Sequence, residues 1–231
     1  MNRDADATAA SPSAWIELPH FDWRALTAPD APMVRFRKEQ TLFSQGEPVA
    51  HVLVVLEGRV RLVLLSAAGH EKHMAIVGTH GMVGECSAFL DGRHSLTAVA
   101  SSEVVARQVS CARLLQVMES DAHCLRQVLW LGNVKLRILA SQNLLLSQAT
   151  AAQRIAHHLV QLAQTYGQPA PQGLRIGIGF THQEMANIAG LSRVMTSNVL
   201  MQLHDEGLID KVQAHCVIRD MRGLARRATG A

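Results

Sequence analysis

The chain has 231 residues, 48% of them hydrophobic and 18% charged, with a formal net charge of +3. So much apolar material argues against disorder, no apolar run reaches the length of a membrane span, and the amino-terminal MNRDADATAASPSAW has acids but no apolar segment of the secretory kind. Cys86, Cys111, Cys124 and Cys216 are scattered without a Cys-x-x-Cys pair, which argues against a disulfide framework or a thiolate metal site and for reduced thiols in a cytoplasmic protein of one or two domains.

Residues 1–14 are small and polar and read as a disordered tail, and residues 15–30, with Trp15, Ile16, Leu18, Phe21, Trp23 and Leu26, as a short helical lead-in. From Met33 to Val109 the pattern is that of strands. Val52–Leu56 is a β-branched run, Arg59–Leu65 begins with polar and apolar residues in alternation, Ser66–His70 is a turn, and Glu71–Val77 returns. Leu96–Val99 and Val104–Val109 complete a set of short strands punctuated by glycines, the signature of a barrel, roll or sandwich.

After Ser110 the period becomes helical. Leu114, Leu115, Val117 and Met118 mark a short helix. Ala122–Ser147 follows without proline, a helix about 40 Å long. Its apolar positions Leu125, Val128, Leu129, Leu136, Leu139, Leu144 and Leu146 exceed what one covering surface can bury, so a parallel partner helix is expected. Thr150-x-x-Gln153 is a capping box that opens a helix over Ala151–Tyr166, with a hinge near 147–150; Gly167–Gly173 reads as a loop and Leu174–Gly179 as a short strand.

Thr181-His-Gln-Glu184 is a second capping box, followed by Met185, Ala186, Ile188 and Ala189, then Gly190, Leu191 and Ser192, and a helix over Arg193–Glu206 with Gly207 just past it. This is helix, tight turn, helix. Ser192 caps the second helix, Val199, Leu200 and Leu203 supply its buried back, and Leu208–Ile209 and Cys216–Ile218 suit the strands of a wing. From Ala151 onward eight basic residues stand against five acidic ones, so this part carries the whole net charge, which suits a nucleic-acid partner.

Gln45-Gly-Glu-Pro48, Leu56-Glu-Gly58, Val83-Gly-Glu85, Arg154-Ile-Ala156, Thr181-His-Gln-Glu184, Gly190-Leu-Ser-Arg193 and Leu203–Ile209 resemble, in order and spacing, the landmarks of the CRP/FNR family, the cyclic AMP receptor protein and fumarate–nitrate regulator superfamily. The resemblance spans nearly the whole chain. It implies an α+β chain that is not an enzyme: a β-roll sensor of cyclic-nucleotide-binding type over 15–121, a dimerisation helix and hinge over 122–148, and a winged helix-turn-helix over 149–231. It also implies a homodimer on a two-fold symmetric stretch of double-stranded DNA, in contact with RNA polymerase. By the same resemblance Arg193, Val194 and Asn198 face base edges, where arginine suits guanine, valine a thymine methyl and asparagine adenine. Thr181, His182, Gln183, Ser192 and Ser197 then meet phosphates.

The sensor departs from the family. In cyclic AMP receptors a Gly-Glu pair holds the ribose, and Gly84 and Glu85 match it. The Arg-Ser pair that holds the cyclic phosphate falls on Leu96 and Thr97, and the Thr-Ser pair that touches adenine falls on Leu139 and Ala140. A buried phosphate without its bidentate cation is costly, so cyclic AMP is not the expected effector, and Arg93 or His94 replaces the missing cation only in a displaced loop. No cysteine precedes Cys86, which leaves no amino-terminal cluster for an iron–sulfur centre. His70, His73, His80, His94, His157 and His158 read as surface residues, and no metal site is expected from their spacing. Haem stays open as an effector, because Met82, Leu96 and Leu139 give an apolar lining that also suits a hydrophobic small molecule or a sensor without ligand. A cupin-type enzyme would need a His-x-His that the chain lacks, and a nucleotide-binding module of some other protein would have no use for Thr181–Ile209.

Overall fold

The computed structural model describes residues 13–18, 20–27, 31–67, 69, 71–90, 92–212 and 215–230, so residues 1–12 of the expected tail, and His70, lie outside the described residues. The chain forms two compact units, Ala14–Leu136 and Arg137–Ala231.

The first unit holds β1 (Trp15–Ile16), β2 (Met33–Phe36), β3 (Thr41–Phe43), β4 (His51–Glu57), β5 (Val60–Leu65), β6 (Glu71–Val77), β7 (Met82–Val83), the single-turn α1 (Glu85–Ala88), β8 (Thr97–Ala100), β9 (Val104–Ser110), α2 (Cys111–Ser120) and the start of α3 (Ala122–Gln148). The strands make two sheets, β1-β6-β5-β8-β3 and β2-β9-β4-β7, a β-roll whose fully buried residues include Val52, Val54, Ile76, Met82, Ala98 and Ala106. Gly58 turns β4 into β5 at φ +84°, where a Cβ would come within 1.9 Å of the Glu103 carbonyl oxygen; only glycine fits. Val60 and Leu62 point inward as the alternation requires, but Val63 is buried too. The register shifts there: Leu62 pairs with Ala75 and Val63 with His73, so Met74 is an extra residue in β6, and Val63 and His73, paired across the sheet, are both buried.

The expected helical lead-in is not helical. Trp15 and Ile16 pair in parallel with Ile76 and Val77, and Trp23 Nε1 donates to the His80 carbonyl at 2.6 Å, so this segment extends a sheet and covers the roll with its indoles. The strand expected at Leu96–Val99 sits one residue later. Ser110 and Asp121 start the two helices by accepting from the Arg113 amide at 3.2 Å and the His123 amide at 2.8 Å, which is why both begin where the pattern places them.

The second unit contains the rest of α3, α4 (Ala151–Tyr166), β10 (Gly167–Ala170), β11 (Gly173–Ile176), α5 (His182–Ala189), α6 (Arg193–Asp205), β12 (Ile209–Val212), β13 (His215–Ile218) and α7 (Met221–Thr229). Both halves of the Thr150/Gln153 capping box are made, and α4 buries Ile155, Leu159 and Leu162. The four strands run in the order β10-β11-β13-β12. The segment expected as a loop, Gly167–Gly173, is therefore half strand. β10 lies at the sheet edge, where Pro169 opposite Leu174 costs no central hydrogen bond. The sequence reading also missed α7, which Asp220 caps by accepting from the Gly223 amide at 2.9 Å and whose Leu224 is fully buried. No helix among the described residues is long and apolar enough to cross a membrane.

The histidines need correction. His80 is exposed and His157 half-buried, but His73, His94 and His158 are buried. His73 pairs across the sheet with Val63 and is buried, and that burial, followed by the positive charges of Arg61 and Lys72, lowers its pKa to about 4. His94 stacks on Phe43 with ring centroids 3.7 Å apart, and His158 lies on the buried side of α4.

Candidate nucleic-acid interface and effector site

Local chemistry sets each end of the helix-turn-helix. Thr181 Oγ1 accepts from the Glu184 amide at 3.0 Å while Glu184 Oε2 accepts from the Thr181 amide at 2.8 Å, closing the expected box at the start of α5. Gly190 takes φ +65° at its end, and a Cβ there would lie 2.7 Å from Leu146 Cδ2. Ser192 Oγ then accepts from the Met195 amide at 3.1 Å and starts α6. Arg154 of α4 clamps the turn: its Nη1 donates to the carbonyls of Ala189 at 3.0 Å and Gly190 at 3.3 Å. Met185, Ala186 and Ile188 of α5 and Thr196, Leu200 and Leu203 of α6 are buried.

This packing leaves Thr181, His182, Gln183, Ser192, Arg193, Val194 and Asn198 exposed, with Ser197 half-buried. Two of them meet across the helices, since His182 Nδ1 is 2.8 Å from Ser197 Oγ. Gln183 Nε2 donates to Asn187 Oδ1 at 2.7 Å. Between the first turn of α5, α6 and the wing runs a cleft of about 760 Å³ whose lining includes Phe180, Arg193, Met201, His204, Ile209 and Cys216. The wing is the hairpin β12–β13, with Lys211 opposite Cys216, and Arg219 pairs with Asp210 across it. Arg222 and Arg226, one helical turn apart on α7, are also exposed.

In the β-roll unit, Gly84 precedes α1 at φ +95°, and Glu85 is only 2% exposed. Its carboxylate is already engaged: Lys135 Nζ on α3 donates to Glu85 Oε1 at 2.5 Å and to the Met82 carbonyl at 3.0 Å, and Cys86 Sγ lies 3.1 Å from the same carboxylate oxygen. Nothing in the sequence pattern singled out Lys135; the one signal was a lone lysine between Val134 and Leu136 in an apolar helix. Thr97 Oγ1 accepts from the Gln45 amide at 3.0 Å, and Leu96 is half-buried. Arg93 donates to the Gly46 carbonyl at 2.8 Å and is exposed. Leu139 and Ala140 are exposed and lie past Leu136, in the other unit from Glu85 and Thr97.

Residues 33–121 match the family model of the cyclic nucleotide-binding domain, and residues 153–227 match that of the Crp-like helix-turn-helix domain. The CRP-like cAMP-activated global transcriptional regulator of Mycobacterium tuberculosis is 29% identical over 195 residues, 84% of this chain and 87% of that protein. The Cyclic AMP receptor protein of Thermus thermophilus is 30% identical over 186 residues, 74% of this chain and 79% of that one. Among solved structures, FixK2 from Bradyrhizobium japonicum shares the fold with a TM-score of 0.73 at 23% identity, over 85% of this chain and 96% of that one. With both domain models in the family's order, and a relative 30% identical over more than two thirds of its length, this chain belongs to the CRP/FNR family of transcription regulators.

Proposed function

We propose that the protein is a homodimeric, sequence-specific DNA-binding regulator whose effector is not cyclic AMP. One observation carries the DNA reading: Arg193, Val194 and Asn198 stand exposed on a helix whose start, turn and back are fixed by Ser192, Arg154 and Leu203. Arg193 meets guanine, Val194 a thymine methyl and Asn198 adenine, while Thr181, His182, Gln183, Ser192 and Ser197 hold the phosphates. The operator is two-fold symmetric, and RNA polymerase is the protein partner at the promoter. In this reading 15–121 senses, 122–148 dimerises and 149–231 binds DNA.

Dimerisation draws support from α3, which leaves Leu129, Trp130, Leu136, Leu139, Leu144 and Leu146 exposed along a helix of 27 residues. Light scattering at micromolar concentration should give about twice the 25.2 kDa chain mass, and mobility-shift assays on genomic fragments should find retarded duplexes. The two recognition helices should sit about 34 Å apart, one turn of DNA. A monomer that shifts no fragment overturns the reading.

The two curated relatives carry cyclic AMP in their names, yet two features of this chain oppose that ligand. Leu96 cannot neutralise a phosphate, and Lys135 occupies the carboxylate expected to hold a ribose. Calorimetry with cyclic AMP at physiological concentration should show no binding; micromolar binding would mean that residues 93–97 take a different register.

A further inference from the structure

The recognition helix carries an unusual exposed face. Thr196, Val199, Leu200 and Leu203 define its buried side, and the residues directly opposite are Val194, Asn198 and Met201. At 3.6 residues per turn, Asn198 lies about 40° and Met201 about 20° from Val194 around the axis, and Met201 is roughly 10 Å further along it. Val194 is 70% and Met201 59% exposed, and Met201 also lines the cleft on the wing side. An arginine or lysine at 201 would serve a phosphate; methionine has nothing to offer one. Next on the same stripe comes the exposed acid Asp205, which phosphates would repel, so the DNA footprint ends between Met201 and Asp205.

We propose that Met201 is a second base-reading residue, and that with Val194 it recognises thymine 5-methyl groups on either side of the base pair read by Asn198. The thymine methyl is the one apolar group that base edges present in the major groove. Roughly 10 Å is at most about three base-pair steps, since the helix lies along the groove and not along the duplex axis, which places the two methyls within about three pairs of each other. An unbranched, polarisable methionine side chain adapts to such a contact. The inference rests on α6 being the DNA-reading helix and adds to it a residue and a chemical class of target.

The test uses the full-length protein on a duplex obtained by in vitro selection, with each half-site thymine replaced in turn by deoxyuridine. That change removes one methyl and keeps every hydrogen-bonding group. Affinity should fall about fourfold at two positions within about three pairs of each other, the worth of one buried methyl-sized group. Met201→Ala should abolish the sensitivity at one of them and Val194→Ala at the other; both side chains are exposed, so neither change endangers folding. The proposal is overturned if no deoxyuridine affects the wild type, or if Met201→Ala retains both sensitivities. A Met201→Ala protein that binds DNA normally but fails to recruit RNA polymerase would mark the stripe as a protein contact and overturn it too. If no duplex is selected at all, the DNA-reading assignment of α6 fails with it.

Discussion

Replacing Lys135 by methionine is expected to cost the sensor unit about 3–5 kcal/mol, because it strands the Glu85 carboxylate in the interior without its cation. The three tryptophans, Trp15, Trp23 and Trp130, all lie in the unit Ala14–Leu136 and Tyr166 lies in the other, so denaturant unfolding followed by selectively excited tryptophan fluorescence reports this unit alone. The double variant Glu85→Gln, Lys135→Met should recover most of the loss, since a neutral amide beside a methionine leaves no uncompensated charge. Lys135→Arg keeps the cation and should fall between the wild type and Lys135→Met. An unchanged unfolding midpoint for Lys135→Met would show that the ion pair does not compensate the carboxylate.

The second large effect is expected at Arg193. Arg193→Ala should weaken operator binding by about 1–3 kcal/mol and relax the preference at one guanine in each half-site. Gln183→Ala, a phosphate contact in this reading, should weaken binding to all sequences about equally. In vitro selection with wild type and Arg193→Ala reads the change in preference, and mobility-shift titrations of Arg193→Ala and Gln183→Ala on specific and unrelated duplexes read the affinities. If the two proteins select the same motif, Arg193 meets phosphate or serves packing, and the assignment of the recognition helix is wrong.

What could be read from the sequence was what is decided locally. The capping boxes at Thr150 and Thr181, the serine cap at 192 and the turn glycine at 190 each involve partners within a few residues, and each forms where expected. Features decided by distant partners were misread. Trp15 and Ile16 carry no strand pattern of their own; Ile76 and Val77, some sixty residues away, make them one. Gly167–Gly173 reads as a loop because its two prolines forbid a central strand, but an edge strand accepts Pro169, and Pro171 falls in the turn that follows. His73 stands near a turn in the sequence, yet it is buried beside Val63, its partner on β5 across a one-residue bulge. In the sensor, Glu85 was singled out by motif, but its partner lies fifty residues on, on another element. That contact changes the reading of the site from a waiting acceptor to a carboxylate already engaged.

The Arg154 clamp has a mechanical consequence. A guanidinium that holds both the last carbonyl of α5 and the carbonyl of the turn glycine makes α4, α5 and the start of α6 one stiff piece. Any torque that enters at Ala149–Thr150 therefore reaches the recognition helix without being absorbed at the turn. In the proposed DNA-binding reading such a device would switch by re-aiming an unchanged reading head, so the affinity for an isolated half-site should stay constant while the fit to two correctly spaced half-sites changes. If the β-roll unit acts on DNA binding as proposed, operator spacing rather than half-site sequence would be the variable through which it acts.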